Sequence, residues 1–520
     1  GECAPCLYLF KQRHTMTAKN FLLVLILVHV LASSILGQSK RDYQWIIGYD
    51  TSLLVAGGDA ILMDFNFCPI NPINVPSVHD FWMEGSNTSM SDEEGNLLFY
   101  SNGCYIVNKM GEIMENGDSI NPGLVQDIYC SAGGSPYVQG VLSIPAPGSD
   151  SLYYVFNLDM DLPYWLQDPF LGVAPQRLYY QVIDMSQDNG LGKVVAKNQV
   201  AIQDTFARAN IQAVRHANGV DWWVITAKSH SNCYFITHVT EQGVQTNTLE
   251  CVGKVWSDHD GSGQALFTPA ANKYIRFNSD NGLNIFDFDN ETGSLSNPTV
   301  IEFPNDTFSH GGAAISSNSR FLYISARTNL YQFDLQAADI AASKTLIGVW
   351  DGFADPYPTI FYLAALAPNN KIYISSTSSH KYLHVIHKPD SLGLACEFEQ
   401  RGVKLPSYNY ATIPNFPHYR SQPTPMDCDS LVSSKEIVPT KDEIKTYPNP
   451  TKGMVTIELN QINSNALIEV YDMFGRKRLA KPLEHHIEQL DMTSFEEGMY
   501  IIIVKPAGKM TINEKLIKIE

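Results

Sequence analysis

The segment most suggestive of metal chemistry is Ser257–Gly263, which reads Ser-Asp-His-Asp-Gly-Ser-Gly. Carboxylates at alternate positions beside a glycine supply the oxygen ligands and the tight turn of a calcium loop. The segment lacks the rest of the EF-hand ligand pattern, including its terminal Glu, so a solvated turn is the simpler interpretation. Phe286–Gly293 is interpreted in the same way, as a strand end and a turn. We therefore predict no metal site and no cofactor.

Histidines are the next candidates for chemistry, because loops from different parts of a repetitive fold can bring distant residues together. Each one is more typical of a packed or loop position than of a catalytic or metal-binding role. The sequence has no Gly-x-Ser-x-Gly elbow, His-Glu-x-x-His pair or phosphate loop, so we predict no catalytic residue. The five histidines considered are His79, His216, His259, His310 and His418.

Adjacent aromatic residues could form a platform on which sugar rings stack. Aromatic side chains on strands belong to the core more often than to a binding surface, so a core position is the competing interpretation. The three pairs are Phe81–Trp82, Tyr164–Trp165 and Trp222–Trp223.

The elements that would position these residues follow a repeat in which an apolar or small-residue strand, a polar turn and an aromatic-rich strand succeed one another. The last three units start about 50 residues apart, which is the spacing expected for propeller blades. A four-stranded blade cannot bury its faces alone, and stacking blades in a ring supplies the core. The six units lie at Ser89–Tyr100, Val141–Phe156, Ile211–Ile225, Ala265–Phe277, Ala314–Ser325 and Ala365–Ser375.

Two strand patterns in Tyr43–Phe67 indicate a seventh unit, so the sequence predicts an all-β fold with a seven-bladed β-propeller over residues 43–420. Six or eight blades are alternatives. The rival fold is a pair of β-sandwiches, which the long repeat period disfavours. Joining the first and last strands would remove an exposed sheet edge.

Composition supports strands and an extracellular setting. Aromatic residues make up 11% of the 520 residues, and flat rings pack well on pleated sheets. Residues 38–440 carry 22 Lys and Arg against 41 Asp and Glu, whereas residues 441–520 carry 11 against 12. The acidity therefore belongs to the central region, and it disfavours nucleic acid as a partner because phosphates are repelled.

The N-terminal region predicts export. Residues 16–37 begin with Met16 and a basic Lys19, continue as an apolar run and end in small residues, which is typical of a signal peptide. We expect cleavage between Gly37 and Gln38, with Ser34 and an uncleaved anchor as alternatives. Residues 1–15 are interpreted as an over-extended gene start. After signal removal we expect no transmembrane segment.

Seven cysteines follow the leader, and an oxidising compartment allows some of them to pair. Because seven is odd, at least one is free or bonded to another molecule. We predict the local pairs Cys104–Cys130 and Cys233–Cys251. The seven are Cys68, Cys104, Cys130, Cys233, Cys251, Cys396 and Cys428.

The C-terminal region has its own organisation. Residues 421–445 are polar and contain prolines, as a linker does. Residues 446–520 then contain short strands between turn signals, which predicts a small immunoglobulin-like β-sandwich.

This C-terminal module resembles the C-terminal sorting domain of the type IX secretion system of Bacteroidetes. The resemblance rests on a Tyr-Pro-Asn-Pro-x-x-Gly opening, a Val-Tyr-Asp-x-x-Gly-Arg centre, a Phe-x-x-Gly-x-Tyr approach and a Lys-Leu-Ile-Lys ending. It implies passage through the periplasm to the surface, outer-membrane and sortase-like machinery as partners, and removal of the module. An ordinary adhesive sandwich is the alternative. The motif residues are Tyr447, Pro448, Asn449, Pro450, Gly453, Tyr471, Asp472, Gly475, Gly498, Tyr500 and Lys515.

The central region resembles a family of exported propeller-like proteins of the Bacteroidetes, through Glu94–Gly103, Arg215–Val224 and Ile413–Phe416. This resemblance implies the fold and no activity. The sequence therefore predicts a secreted or cell-surface propeller that binds an unidentified protein or glycan, or acts as a scaffold. A propeller hydrolase or lyase acting on extracellular polysaccharide is the alternative, and it would need acidic or histidine side chains clustered at one channel mouth.

Overall fold

The computed structural model divides into unit 1, Gly1–Cys428, and unit 2, Asp429–Glu520. The predicted signal peptide, its cleavage point at Gly37 and Gln38, and most of the predicted linker lie outside the described residues. The described residues are 39–48, 60–75, 83, 85–123, 125–130, 134–159, 175–208, 210–256, 263–303, 311–420, 444–459, 466–472, 476–483, 487–505 and 512–519.

The described part of unit 1 forms seven antiparallel sheets that follow one another along the chain, here called sheets 1 to 7. Sheets 1 and 2 have three strands each and the other five have four. Sheet 1 contains β1 (Gln44–Gly48), β2 (Ala60–Asp64) and β3 (Ile73–Val75). Sheet 2 contains β4 (Thr88–Ser91), β5 (Leu97–Ser101) and β6 (Ile106–Asn108).

The four-stranded sheets are meanders in which each strand pairs with the next one in sequence. Sheet 3 contains β7 (Val141–Pro145), β8 (Leu152–Leu158), β9 (Arg177–Asp184) and β10 (Lys193–Gln203). Sheet 4 contains β11 (Gln212–Arg215), β12 (Trp222–Ala227), β13 (Cys233–Thr240) and β14 (Gly243–Cys251). Sheet 5 contains β15 (Gln264–Phe267), β16 (Lys273–Asn278), β17 (Gly282–Asp289) and β18 (Ser294–Ile301).

Sheets 6 and 7 repeat this pattern. Sheet 6 contains β19 (Gly312–Ile315), β20 (Phe321–Ala326), β21 (Asn329–Asp334) and β22 (Thr345–Val349). Sheet 7 contains β23 (Ala364–Leu366), β24 (Ile372–Ile374), β25 (His380–Ile386) and β26 (Phe398–Asn409). Short helical turns lie at Val125–Tyr129, Asp188–Gly190 and Gly393–Cys396.

Burial within a sheet falls from the inner strands to the outer ones. Every residue of β12 is buried, whereas β14 at the edge of the same sheet consists of half-buried and exposed residues. An inner strand has a neighbouring sheet on each face, and for this reason its sequence is almost continuously apolar. The first strands of successive sheets lie side by side around a central channel. The fold of unit 1 is therefore a β-propeller.

Sheet 1 and sheet 7 meet and complete the ring. Trp45 on β1 contacts the Tyr373 ring on β24 edge to face, with centroids 5.9 Å apart, and Phe65 packs on both rings. These residues belong to a single buried cluster drawn from both ends of unit 1. The first and last sheets thus cover each other's apolar faces.

Unit 2 is built from two antiparallel sheets. One contains β27 (Ile444–Tyr447), β28 (Met454–Leu459) and β31 (Ile487–Asp491). The other contains β29 (Ala466–Asp472), β30 (Lys477–Leu483), β32 (Gly498–Lys505) and β33 (Ile512–Lys518). Apolar side chains from both sheets form one shared core. The immunoglobulin-like assignment of this unit stays a prediction.

The two predicted disulfides are confirmed. Cys104 and Cys130 are bonded, and Cys233 and Cys251 are bonded as opposite residues of β13 and β14. Cys68 is also disulfide-bonded. Cys396 is a free, buried thiol.

Candidate functional site

The central channel of the propeller contains a segment of its own chain. Residues 412–420 follow β26 and run between the first strands of the sheets. The backbone N–H of Asn415 donates to the Asn87 carbonyl at 2.8 Å, and the Asn415 carbonyl accepts a bond from Thr88 Oγ1 at 3.2 Å. The segment therefore lies directly against sheet 2.

The Asn415 side chain connects two further sheets. Its Nδ2 donates to the carbonyls of Val141 and Ile211, each at 3.0 Å. Its Oδ1 accepts bonds from Nε2 of Gln139, at 3.1 Å, and from Nε2 of Gln212. Asn415 thus uses both ends of its amide on groups that the propeller buries at the channel, as a buried polar side chain must.

A second amide, that of Gln264, bridges sheets 5, 6 and 7. Its Oε1 accepts bonds from the backbone N–H groups of Ala313 and Ala364, both at 3.0 Å, and its Nε2 donates to the Ala364 carbonyl at 2.7 Å. Gln139 makes the same kind of pair with Ala265, at 2.8 and 2.9 Å. These amides bond the strands around the channel to one another.

The space left beside Asn415 is a cavity of about 50 Å³. Water occupies roughly 30 Å³ in the liquid, whereas organic ligands occupy pockets of about 300–1,000 Å³. The cavity can therefore hold water and is too small for a sugar. Its walls include the three glutamines Gln139, Gln212 and Gln264, together with His418.

One end of the channel carries a group of arginines. Arg420 is paired with Asp42 through Nη1 and Nη2. Burial acts to lower the pKa of Arg420, but the Asp42 carboxylate raises it. Arg41 donates to Tyr153 Oη at 2.9 Å and to Glu93 Oε1 at 3.0 Å.

Arg215 completes this group. Its guanidinium lies 4.3 Å above the Trp222 ring, and burial lowers its pKa. Trp222 in turn contacts Tyr419 edge to face, with ring centroids 5.8 Å apart, and Tyr419 donates to the Ser143 carbonyl at 3.0 Å. Arg420 and the stacked Arg215, Trp222 and Tyr419 therefore help to hold the end of residues 412–420 in place, which gives these two arginines a structural role.

A larger opening lies at the outer strands of sheet 7. This opening, here called the rim groove, has a volume of about 560 Å³. β25 and β26 supply most of its wall, and the rest comes from the residue that precedes β3 and from the loop before β23. The lining residues are Pro72, Asp355, Lys381, Tyr382, Lys404, Leu405, Pro406 and Tyr408.

Two tyrosines and two lysines line the rim groove together. Tyr382 lies opposite Lys404 in the strand ladder, and its ring contacts Phe353 edge to face at 5.7 Å. The Lys381 ammonium lies 4.7 Å from the centre of the Tyr408 ring. Within the described residues, neither lysine has an ion-pair partner.

Two of the five histidines that the sequence singled out lie within the described residues, and these two have different surroundings. His216 follows β11 and stacks on His238, with ring centroids 5.1 Å apart, whereas His418 lies on the channel wall, where burial lowers its pKa to about 4. His79, His259 and His310 are outside the described residues. No group of three or more metal-ligating side chains occurs in the described part of the chain.

Of the two loops considered as calcium sites, only Phe286–Gly293 lies entirely within the described residues. Ser257–Ser262 lies outside the described residues, and Gly263 immediately precedes β15. In Phe286–Gly293, Asp287 pairs with Lys273 at 2.6 Å, and Asp289 accepts bonds from the backbone N–H groups of Glu291 and Thr292. This segment is a strand end and a turn, as expected.

Of the aromatic pairs, Trp222 and Trp223 are both buried in β12 and belong to the core. Phe81–Trp82 and Tyr164–Trp165 lie outside the described residues. The aromatic residues that do line an opening, Tyr382 and Tyr408, were not predicted. The sequence points to Asn415 only through the family resemblance of Ile413–Phe416.

The motif residues at the start of unit 2 form a turn that contacts the last strand. Tyr447 ends β27, and Pro448–Pro450 are exposed. Asn449 Oδ1 accepts a bond from the Ile517 backbone N–H at 3.0 Å. A Cβ at Gly453 would lie 2.8 Å from Thr493 Cγ2, so this close approach favours glycine.

The later motif residues lie at strand ends and in the core. Asp472 ends β29 and accepts bonds from the backbone N–H and Nε of Arg476 at 3.0 and 2.8 Å, beside Tyr471. Gly498 begins β32, Tyr500 is buried against Phe495 at 5.4 Å, and Lys515 lies opposite Ile501. Gly475 is outside the described residues. The motif therefore occupies structural positions of the two sheets.

Several solved structures are similar to this chain at 11 or 12% sequence identity. PorZ of Porphyromonas gingivalis, a surface component of the type IX secretion system, is 11% identical, with a TM-score of 0.29, over 89% of this chain and 68% of that one. A putative 6-phosphogluconolactonase of Bacteroides fragilis is 11% identical, with a TM-score of 0.39, over 72% and 99%. The periplasmic gluconolactonase PpgL of Pseudomonas aeruginosa is 12% identical, with a TM-score of 0.39, over 72% and 99%.

Comparison with curated proteins finds no relative. Within the described residues, no helix is long and apolar enough to cross a membrane. The family model of the secretion system C-terminal sorting domain matches residues 445–520. Residues 445–520 are therefore a C-terminal sorting domain of the type IX secretion system, which exports this protein to the cell surface or releases it.

Proposed function

We propose that the propeller of unit 1 is an extracellular binding module and that its ligand occupies the rim groove. The proposal rests on the difference in volume between the channel cavity and the rim groove. The channel is filled by Asn415 and retains about 50 Å³, whereas the rim groove offers about 560 Å³. Only the second volume falls in the range of about 300–1,000 Å³ that is usual for ligand sites.

The chemistry of the two openings supports the same choice. The amides around Asn415 are bonded to backbone groups and to one another, so a ligand would have to displace these bonds. In the rim groove, the hydroxyls of Tyr382 and Tyr408 have no hydrogen-bond partner within the described residues. Such groups are available to a ligand without prior loss of an internal bond.

We further propose that unit 2 acts as a transport signal and is removed on arrival, so that unit 1 remains to bind the ligand. This proposal rests on the sorting domain at residues 445–520. Mass spectrometry of the protein recovered from the cell surface tests it. The expected mature chain ends within residues 421–445, and a surface form that retains Glu520 would contradict removal.

The binding function is tested by screening the purified full chain against extracellular polysaccharides and envelope proteins, with product analysis in parallel. We expect retention of a ligand without its turnover, and loss of retention in Tyr408→Ala. Tyr357→Ala is the matched control, because Tyr357 is an exposed tyrosine outside the groove lining. Conversion of the bound polysaccharide to shorter products would contradict a binding module and favour an enzyme.

A further inference from the structure

We propose that the rim groove binds a saccharide chain that bears carboxylate groups, an inference that deepens the proposed function and rests on it. The lining contains two cationic side chains, Lys381 and Lys404, and one anionic side chain, Asp355. This balance is opposite to that of the surrounding region, where residues 38–440 carry 22 Lys and Arg against 41 Asp and Glu. The groove is a positive site on an acidic module.

The two lysines differ from other cations of the same sheet. Arg401 on β26 forms two bonds with Asp351, and Lys388 pairs with Glu397. Lys381 and Lys404 have no such partner within the described residues, and Lys404 is exposed. An ammonium that is not neutralised internally can form a charge-assisted hydrogen bond with a ligand carboxylate.

The remaining wall of the groove favours a flat, hydroxyl-bearing ligand. Tyr382 and Tyr408 are half-buried, so each offers part of a ring and a phenolic hydroxyl. A pyranose ring has a face of C–H groups that packs on such a ring and hydroxyls that bond with its Oη. Asp355 is exposed at the same opening and can accept bonds from sugar hydroxyls.

The two tyrosines favour a saccharide over an acidic peptide. Either ligand could pair with the lysines, but the half-buried rings and hydroxyls of Tyr382 and Tyr408 also match the C–H faces and hydroxyls of sugar rings. A neutral saccharide would leave the two lysines without a partner. An oligosaccharide of uronic acids uses the tyrosines and both lysines together.

Isothermal titration calorimetry of the full chain tests the proposal with three probes of similar length. These probes are trigalacturonic acid, neutral galactotriose and a tri-glutamate peptide. We expect trigalacturonic acid to bind most tightly and its affinity to fall as salt is raised, because screening weakens exposed charge pairs. Binding of galactotriose or tri-glutamate with equal affinity, or no binding of trigalacturonic acid, would overturn the proposal.

Lys381→Gln/Lys404→Gln is the decisive variant. We expect it to weaken binding of trigalacturonic acid at least about tenfold, which corresponds to about 1.4 kcal/mol. The matched control, Lys109→Gln/Lys388→Gln, removes the same net charge from residues outside the lining and should leave the affinity unchanged. Equal losses in both variants would show that net charge, and not the groove, governs binding.

Failure of this inference is distinguishable from failure of the proposed function. If the full chain retains another ligand in a Tyr408-dependent way but ignores trigalacturonic acid, only the ligand class is wrong. If trigalacturonic acid binds and is cleaved, the groove assignment stands and the binding-module function is wrong. Urea unfolding of each variant verifies that the fold is intact.

Discussion

The guanidinium of Arg420 holds the carboxylate of Asp42 across 378 positions of sequence, with Nη2 2.7 Å from Oδ2. Asp42 precedes the first strand of the propeller, and Arg420 ends the segment that occupies its channel. Their side chains are only 6% and 14% exposed. The pair therefore joins the two ends of the propeller inside the molecule, beside the contacts between sheets 1 and 7.

Replacing one member of this pair should destabilise unit 1 strongly. Arg420→Met leaves the Asp42 carboxylate buried without its cation, and breaking a buried pair in this way costs about 3–5 kcal/mol. We expect this loss in the free energy of unfolding, measured by urea denaturation with tryptophan fluorescence. In Asp42→Leu/Arg420→Met no charge is left unpaired, so most of the loss should be recovered.

The control for this pair is Arg401→Met. Arg401 and Asp351 also form two bonds, but their side chains are 21% and 39% exposed. Exposed pairs contribute about 0–1 kcal/mol, so the control should lose little stability. Equal losses in Arg420→Met and Arg401→Met would show that burial does not set the strength of the Asp42 pair.

Asn415→Ala should also destabilise the propeller. The substitution removes both ends of an amide and leaves the Val141 and Ile211 carbonyls and two glutamine amides short of a partner. Each buried group left unsatisfied costs about 1–3 kcal/mol, so we expect a total loss of at least about 3 kcal/mol in urea denaturation. Gln245→Ala, at an exposed side chain bonded to a nearby carbonyl, is the control and should be neutral. A neutral Asn415→Ala would mean that water replaces the amide.

The strand pairs of the propeller could be predicted because their signals are local. The unit predicted at Ala314–Ser325 contains the end of β19 and most of β20, which pair directly across a short turn. A hairpin of this kind is encoded by neighbouring residues, namely an apolar run, turn residues and a second apolar run. The disulfide between Cys233 and Cys251 could be predicted for the same reason, since the two cysteines lie on adjacent strands.

The channel and the groove could not be predicted because their contacts are distant or irregular. The four groups that bond with the Asn415 side chain lie between 203 and 276 positions away in sequence, and no repeat in the sequence marks them. Tyr382 faces Lys404 only because the ladder of β25 and β26 contains register shifts on both sides of this pair. Bulges that redirect side chains are set by tertiary packing as well as by sequence.

Removing the disulfide between Cys104 and Cys130 should lower the stability of unit 1. The bond closes a loop with a sequence separation of 26, and in the chain-entropy account such a loop contributes about 3 kcal/mol. We expect Cys104→Ala/Cys130→Ala to lose about that amount in urea without reductant. In the presence of dithiothreitol the difference between the variant and the natural chain should shrink. A difference that persists unchanged after reduction would assign the loss to packing of the two side chains.

Stability should fall on mild acidification because His384 is buried in its neutral form. Burial is the main cause that lowers the pKa of His384 to about 3, and its two ring nitrogens are both occupied. Nε2 donates to the Thr359 carbonyl at 2.9 Å, and Nδ1 accepts the Arg401 backbone N–H at 3.2 Å. Protonating Nδ1 would remove this second bond and place a charge in the core.

The stability of the folded chain falls as the pH falls because the folded and unfolded states differ in the pKa of His384. In the unfolded chain His384 takes up a proton near its ordinary pKa of 6.5, whereas in the folded chain it stays neutral to about 3. Its full contribution to stability is present above about pH 6.5 and is lost as the pH falls, by about 1.4 kcal/mol per pH unit. We expect the free energy of unfolding to depend less steeply on pH in His384→Gln, by about 1.4 kcal/mol per pH unit between about pH 4.5 and 6. Equal slopes for the variant and the natural chain would show that His384 is protonated in the folded state, and its bond with the Arg401 backbone would then be absent in solution.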